Sequence, residues 1–148
     1  MLKSVFFSVI IPTLNEEGYL PKILSDFAKQ RQKNFGIIVV DATSEDKTKE
    51  KALKFSKYFP LEFITAEKRN VSFQRNLGAQ KAAGEFLLFL DADARVNTMF
   101  TRNLYIDIFK KKGQLFLPTL ITEERSRKNR ILFKLINSVI EVSQSLTK

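Results

Sequence analysis

Short apolar runs alternate with amphipathic segments along much of this chain. The apolar runs predict strands at residues 5–11, 37–40, 61–65, 86–90 and 114–122. Between them, apolar residues recur at every third or fourth position, as in Leu20, Ile23, Leu24 and Phe27, which is typical of a helix with one buried face. We therefore expect right-handed strand-helix-strand crossovers and an α/β fold, with a mostly parallel sheet and helices on both of its faces.

Polar residues mark the predicted helix ends. The helices are predicted from residue 15 onward and over residues 45–58, 72–83, 97–112 and 128–146. Ser44 and Ser72 are suited to cap the second and third helices, and Gly113 to end the fourth. Pro12 is expected to close the first strand, and Pro60 to stop the second helix.

The most informative stretch follows the fourth predicted strand. Residues 86–90 are all apolar, which predicts a strand buried on both faces, and Asp91-Ala92-Asp93 comes directly after it. In a chain that is still extended, Asp91 and Asp93 point to the same side. Two neighbouring carboxylates repel each other, and a hard divalent cation offsets that repulsion. Taken alone, the motif favours a solvated acidic turn, and a ligand site needs support from other strands.

Two other predicted strands supply that support. The first is followed by Pro12-Thr13-Leu14-Asn15-Glu16-Glu17, and the second by Asp41-Ala42-Thr43-Ser44-Glu45-Asp46. Because the carboxyl ends of parallel strands meet at one edge of the sheet, we expect these residues and Asp91-Ala92-Asp93 to converge on one ligand site. Asn15 and Glu16 are also suited to begin the first helix, and this role stays open beside the ligand role.

The composition and the motifs that are missing exclude several kinds of ligand site. The 148 residues, 44% of them apolar and 28% charged, fit a single domain over residues 1–148. Cysteine and histidine are absent, so any metal must be held by oxygen. Neither glycine-rich motif of dinucleotide or P-loop proteins occurs. The net charge of +9 invites a nucleic-acid partner, but we predict none, since the basic residues are spread along helix-like segments without a recognition motif.

The C-terminal segment indicates a partner. We divide the domain into an α/β core at residues 1–122 and a basic amphipathic helix at residues 123–148. Such a helix covers a core, rests on anionic lipid or packs on a partner subunit, and the sequence leaves these three alternatives open. We find neither a signal peptide nor an apolar run of membrane-spanning length. We therefore predict a cytoplasmic location, extending to the membrane surface through this helix.

Three motifs together resemble the family 2 glycosyltransferases, a GT-A-type group that uses nucleotide-diphospho-sugars. They are residues 8–17 (SVIIPTLNEE), residues 39–48 (VVDATSEDKT), and Arg75-Asn76-Leu77-Gly78 with residues 82–93 (AAGEFLLFLDAD). Their order and spacing agree with the family pattern. The resemblance implies a GT-A, Rossmann-like fold and an enzyme that transfers sugar from a UDP- or GDP-linked donor to a lipid or glycan acceptor.

The resemblance also implies residue roles. The nucleotide-sugar-binding residues would be Pro12, Thr13, Asn15, Glu16, Asp41, Arg75, Asp91 and Ala92. Asp93, with Asp91, would hold Mg²⁺ or Mn²⁺, which neutralises the departing diphosphate. Thr13 and Glu16 would lie against the base and ribose, and Asp41 would accept hydrogen bonds from them. Arg75 would face the base edge or the diphosphate.

We assign no general base. Family members continue through an acceptor-binding segment that supplies an Asp or Glu in inverting enzymes. The acids that follow Asp93 here match no such motif; they are Asp107, Glu123, Glu124 and Glu141. The chain is therefore expected to be the donor-binding portion, without the usual C-terminal acceptor portion. Two alternatives stay open: a non-catalytic nucleotide-sugar-binding or assembly module and, less favoured, a nucleotidyltransferase. The sequence leaves the donor sugar, the acceptor, the stereochemical outcome and the oligomeric state undetermined.

Overall fold

The computed structural model describes residues 5–111 of the 148-residue chain. Strands and helices alternate within it: β1 (Phe7–Thr13), α1 (Leu20–Ala28), β2 (Phe35–Asp41), α2 (Thr48–Leu53), β3 (Leu61–Thr65), α3 (Val71–Lys81), β4 (Phe86–Phe89) and α4 (Phe100–Lys111). The compact unit that carries the sheet ends at Asp107. No helix in the described part is long and apolar enough to cross a membrane. The predicted strand at 114–122 and the C-terminal helix lie outside the described residues.

The described strands form one parallel sheet with the order β3-β2-β1-β4. This confirms the predicted α/β class. The register places Thr13 opposite Asp41, and Ile10 opposite Phe89. From β1 the chain adds β2 and then β3 on one side of the sheet, and it then crosses to the other side of β1 to add β4. Open α/β sheets bind ligands where the strand order reverses in this way, so the crevice beside the carboxyl end of β1 is the expected site.

Helices cover both faces of the sheet. On one face, α3 approaches so closely that a Cβ atom on Gly78 would lie 2.5 Å from Cγ2 of Ile10. On the other, the ring of Phe27 in α1 packs against Phe35 at 5.1 Å and against Phe100 at 6.4 Å between centroids. Every residue of β1 is buried, so the central strand and its carboxyl end are held in a packed core.

The fourth strand corrects one prediction. We expected burial on both faces, yet Leu87 and Phe89 are 42% and 45% exposed. Among the described strands β4 pairs only with β1 and lies at an edge, while α3 covers β1 and β2 instead. The strand also ends at Phe89, and the Ala94 N–H donates to the Asp91 carbonyl at 3.1 Å. The two aspartates therefore lie in a turn over residues 91–94 and not on an extended chain.

Several predicted helix ends were also wrong. The second helix is the shorter α2, which begins at Thr48, whose N–H donates to Asp46 Oδ1 at 2.9 Å. Ser44 does not cap it, and its hydroxyl donates to Asp41. The cap of α3 is Asn70, whose Oδ1 accepts the Phe73 N–H at 2.8 Å, and not Ser72. The first helix begins only at Leu20. Asn15 and Glu16 therefore stay in the loop after β1.

Candidate functional site

Hydrogen bonds join the loops after β1 and β2. The Asn15 N–H donates to Ser44 Oγ at 2.7 Å, and the Glu45 N–H returns a bond of 2.9 Å to Asn15 Oδ1. A third bond, of 2.9 Å, runs from the Glu16 N–H to Thr48 Oγ1. Asn15 has φ 56°, a left-handed conformation that asparagine adopts more readily than most residues. The two loops thus form one wall at the carboxyl edge of the sheet.

Asp41 lies at the centre of this wall. It is 4% exposed, and its Oδ1 accepts hydrogen bonds from the hydroxyls of Thr13, at 2.9 Å, and Ser44. Its Oδ2 accepts the Ser44 N–H at 2.8 Å. The structure therefore brings Thr13 and Asp41 together, with Pro12 one residue earlier in β1. A carboxylate oxygen takes two hydrogen bonds, so Oδ2 has capacity for one more.

Gln74 was missed by sequence reasoning. It is 3% exposed in α3, and its Nε2 donates to the carbonyl oxygens of Thr13, at 2.9 Å, and Val40, at 2.6 Å. One amide thus joins the carboxyl ends of β1 and β2 at the point where the loops begin. The only sequence signal was its position directly before Arg75, since an isolated glutamine in a helix usually faces solvent.

The next residue of α3 reaches the turn after β4. Arg75 Nη2 donates to Asp91 Oδ1 at 2.8 Å, and the two side chains are 38% and 64% exposed. Arg75 Nε is buried, and no hydrogen-bond partner for it is found among the described residues. Arg75 and Asp91, which the sequence assigned to one site, are therefore in direct contact.

Four carboxylates from three loops share this edge; the acidic group consists of Glu16, Asp46, Asp91 and Asp93. Burial raises the pKa of Glu16, and the negative charges of Asp93, Asp46 and Asp91 raise it further. Asp91 and Asp93 are exposed, whereas Ala92 between them is 4% exposed and packs into the protein. The predicted convergence of the three strand ends is thus what the structure has.

Two members of the acidic group, Asp91 and Asp93, fit a hard divalent cation in chemistry and number. Within residues 5–111, no three histidine, cysteine, aspartate or glutamate side chains are arranged to hold a metal. Mg²⁺ and Mn²⁺ favour carboxylate oxygen, and Mg²⁺ is usually held by one or two carboxylates, with water and substrate phosphates completing its shell. Asp93 and Asp91 fit that pattern, whereas a site built entirely from protein ligands does not.

Comparison with known proteins identifies the family. The family description "Glycosyl transferase family 2" matches residues 8–137. This chain belongs to the family 2 glycosyltransferases. It is 36% identical over 95 residues to the poly(ribitol-phosphate) beta-N-acetylglucosaminyltransferase TarS of Staphylococcus aureus. The alignment covers 62% of this chain and 17% of TarS. The resemblance stated from the three motifs is confirmed.

A second relative of this family 2 chain comes from Methanococcus voltae. It is a dolichyl N-acetyl-alpha-D-glucosaminyl phosphate 3-beta-D-2,3-diacetamido-2,3-dideoxy-beta-D-glucuronosyltransferase, 35% identical over 103 residues. The alignment covers 66% of this chain and 32% of that protein. This chain therefore spans less than a third of the length of either relative.

Solved structures agree with the GT-A fold. A crystal structure of S. aureus TarS residues 1–349 in complex with UDP-GlcNAc matches with a TM-score of 0.68 and 27% identity, over 80% of this chain and 38% of that one. The mannosyltransferase PcManGT of Pyrobaculum calidifontis, in complex with GDP-Man and Mn²⁺, matches with a TM-score of 0.64 over 69% of this chain and 32% of that one. Its 24% identity supports the fold alone.

Proposed function

We propose that this chain binds a nucleotide-diphospho-sugar together with Mg²⁺ or Mn²⁺, as the donor site of a glycosyltransferase. The donor is UDP- or GDP-linked, and the likeness to TarS, whose structure contains UDP-GlcNAc, favours UDP. The sugar passes to a glycan or lipid-linked acceptor, because the names of the two relatives specify a poly(ribitol-phosphate) and a dolichyl-linked acceptor.

The contact between Arg75 and Asp91 within the acidic group carries this proposal. It joins a guanidinium, which binds phosphate oxygens in a fixed geometry, to carboxylates that hold a hard cation. A nucleoside diphosphate with its cation presents the complementary charges. The contact lies beside the carboxyl end of β1, where the strand order reverses.

Each proposed residue has a task that its position allows. Asp93, with Asp91, holds the cation, which when bound supplies Lewis-acid stabilisation of the departing diphosphate. Arg75 donates to the diphosphate or the base edge. The base and ribose lie against the wall formed by the loops after β1 and β2. The residues proposed to shape that pocket are Pro12, Thr13, Asn15, Glu16, Asp41 and Ala92.

The test is calorimetric titration of UDP and GDP into the 148-residue chain, with Mn²⁺ and with EDTA. We expect one nucleotide to bind with Mn²⁺ and to bind at least about 10-fold more weakly with EDTA. Asp93→Asn is expected to remove the Mn²⁺ effect. Glu50→Gln is the matched control, because it also replaces a carboxylate by an amide but lies in an exposed pair with Lys54 at 2.8 Å.

Two results would contradict the proposal. One is a folded wild-type chain that binds neither nucleotide. The other is binding that responds equally to Asp93→Asn and Glu50→Gln. Release of UDP from UDP-GlcNAc by the wild type would eliminate the alternative of a non-catalytic module, and release of diphosphate from a nucleoside triphosphate would favour a nucleotidyltransferase.

A further inference from the structure

The chain directly after Asp93 is fastened to α1 by an ion pair. Arg95 Nε donates to Asp26 Oδ2 at 2.6 Å, and Arg95 Nη2 donates to Asp26 Oδ1 at 2.9 Å. The Val96 N–H adds a bond of 3.3 Å to Oδ2. The side chain of Asp26 is only 9% exposed. Both oxygens of a nearly buried carboxylate are therefore occupied by the segment that follows the Asp-Ala-Asp turn.

A second side chain, two residues after the end of α1, holds the same segment. Gln30 is 3% exposed, and its Nε2 donates to the Asn97 carbonyl at 2.6 Å. Its Oε1 accepts both the N–H and the hydroxyl of Thr101, each at 3.1 Å. Asp26 and Gln30 thus bind residues 95–97 and the first turn of α4 through side chains that solvent hardly reaches.

The other end of the turn is held by the sheet. The Leu90 N–H donates to the Ile10 carbonyl at 3.1 Å, which extends the pairing of β4 with β1 to the residue before Asp91. The turn over residues 91–94 therefore spans two fixed points, β1 on one side and α1 on the other. Between them it carries Asp91 and Asp93, whose charges face that of Glu16.

We propose that Asp26 is a positioning residue for the Asp91-Ala92-Asp93 turn. Like-charge repulsion from Glu16 pushes the turn away from the loop after β1, and the Arg95 pair with Asp26 opposes that displacement. The turn that carries the two aspartates is thereby held in place before a cation binds. The role of the turn in cation binding rests on the proposed function. The anchoring of the turn by Asp26 is a property of the free protein and can be tested without a ligand.

The first experiment measures amide hydrogen exchange in the nucleotide-free chain. The Ala94 amide, which bonds to the Asp91 carbonyl, is expected to exchange about 10-fold faster in Asp26→Asn than in the wild type. The Val39 amide in β2 reports global unfolding, whereas the Ala94 amide exchanges through local opening of the turn, so a mere loss of stability accelerates Val39 and leaves Ala94 unchanged. Arg95→Gln, which removes the same pair from its more exposed side, is expected to reproduce the effect. Glu50→Gln, with the same charge change as Asp26→Asn, is expected to leave both amides unchanged.

The second experiment repeats the titration with whichever of UDP and GDP the wild type binds. Asp26→Asn is expected to weaken binding about 10-fold with Mn²⁺ and less than about 2-fold with EDTA, since only the metal-dependent part needs the turn in place. Unchanged Mn²⁺-dependent affinity beside a lowered melting temperature would overturn the proposal, as would acceleration of Val39 without acceleration of Ala94. If the wild type binds neither nucleotide, the proposed function fails, and the exchange of Ala94 alone decides the positioning role.

Discussion

Arg75 in α3 and Asp91 after β4 are joined by a hydrogen bond of 2.8 Å between Nη2 and Oδ1. The contact connects the helix on one face of the sheet to the turn that carries the acidic group. It places a positive charge beside negative charges that otherwise repel one another. A residue that stabilises the turn in the free protein is thus the same one that is proposed to face the nucleotide.

Replacing Arg75 by Gln is expected to separate binding from stability. The affinity for UDP or GDP with Mn²⁺ should fall about 10-fold, since a charge-assisted donor to phosphate is lost. The free energy of unfolding should change by less than about 1 kcal/mol, because both side chains of the pair are substantially exposed. Titration calorimetry and urea unfolding measure the two quantities. Lys54→Gln, in the exposed pair with Glu50, is the control; an equal loss of affinity in that variant would contradict the prediction.

Replacing Gln74 by Leu is expected to destabilise the fold by about 2 to 3 kcal/mol, because the buried carbonyls of Thr13 and Val40 would each lose a donor. Urea unfolding measures the loss. Gln80→Leu, an exposed position in the same helix, should change stability by less than about 0.5 kcal/mol. If the two variants were equally stable, the amide of Gln74 would not be what joins the strand ends.

Alanine variants of three glycines are expected to lose stability to different degrees. A Cβ at Gly84 would lie 2.6 Å from the Ser8 backbone nitrogen, and one at Gly78 would lie 2.5 Å from a side-chain carbon of Ile10. A Cβ at Gly36 would meet nothing closer than 3.7 Å. Overpacking typically costs about 1 to 3 kcal/mol, and backbone yields less easily than a side chain. We expect Gly84→Ala to lose most stability, Gly78→Ala less and Gly36→Ala almost none in thermal or urea unfolding. A different order would refute the packing argument.

The Asp26 pair predicts a pH dependence. Burial of Asp26 raises its pKa, but the hydrogen bonds from Arg95 and Val96 outweigh that effect and keep the pKa below the ordinary value of 3.8. The unfolded chain therefore binds the proton more tightly than the folded chain. The stabilisation is complete above pH 3.8 and is lost as the pH falls through the folded pKa.

Asp26→Asn is accordingly expected to lower the free energy of unfolding by about 2 kcal/mol at neutral pH. The difference from the wild type should stay constant between about pH 6 and 8 and shrink toward about pH 3. Urea unfolding across this range measures it, with Glu50→Gln as the reference for a mere change of net charge. A difference that grew as the pH fell would show that the sign of the linkage is wrong.

Much of the architecture was predictable because it depends on local pattern. The apolar run at residues 37–40 and the spacing of Leu20, Ile23, Leu24 and Phe27 specify a strand and a helix face through periodicity alone. Parallel crossovers then require the carboxyl ends of the strands to share one edge of the sheet. The sequence alone therefore predicts that Asp41 and Asp91 lie at the same edge. The ends of elements were predicted less well. Ser44 can cap a helix or bind a neighbouring carboxylate, and only the position of Asp41 decides between them.

The sequence by itself determined the α/β class, the family and the set of polar residues at the carboxyl edge. The class follows from the periodicity of apolar residues, and the other two follow from short motifs at the strand ends. The tertiary structure decided which of those residues touch and what holds them. Asp26 and Arg95 are 69 positions apart, and no periodic pattern relates them. The apolar pattern predicts that Leu87 and Phe89 are buried, but they are exposed because β4 lies at an edge of the described sheet. Contacts of this kind depend on how helices and strands pack in space, which local sequence constrains only weakly.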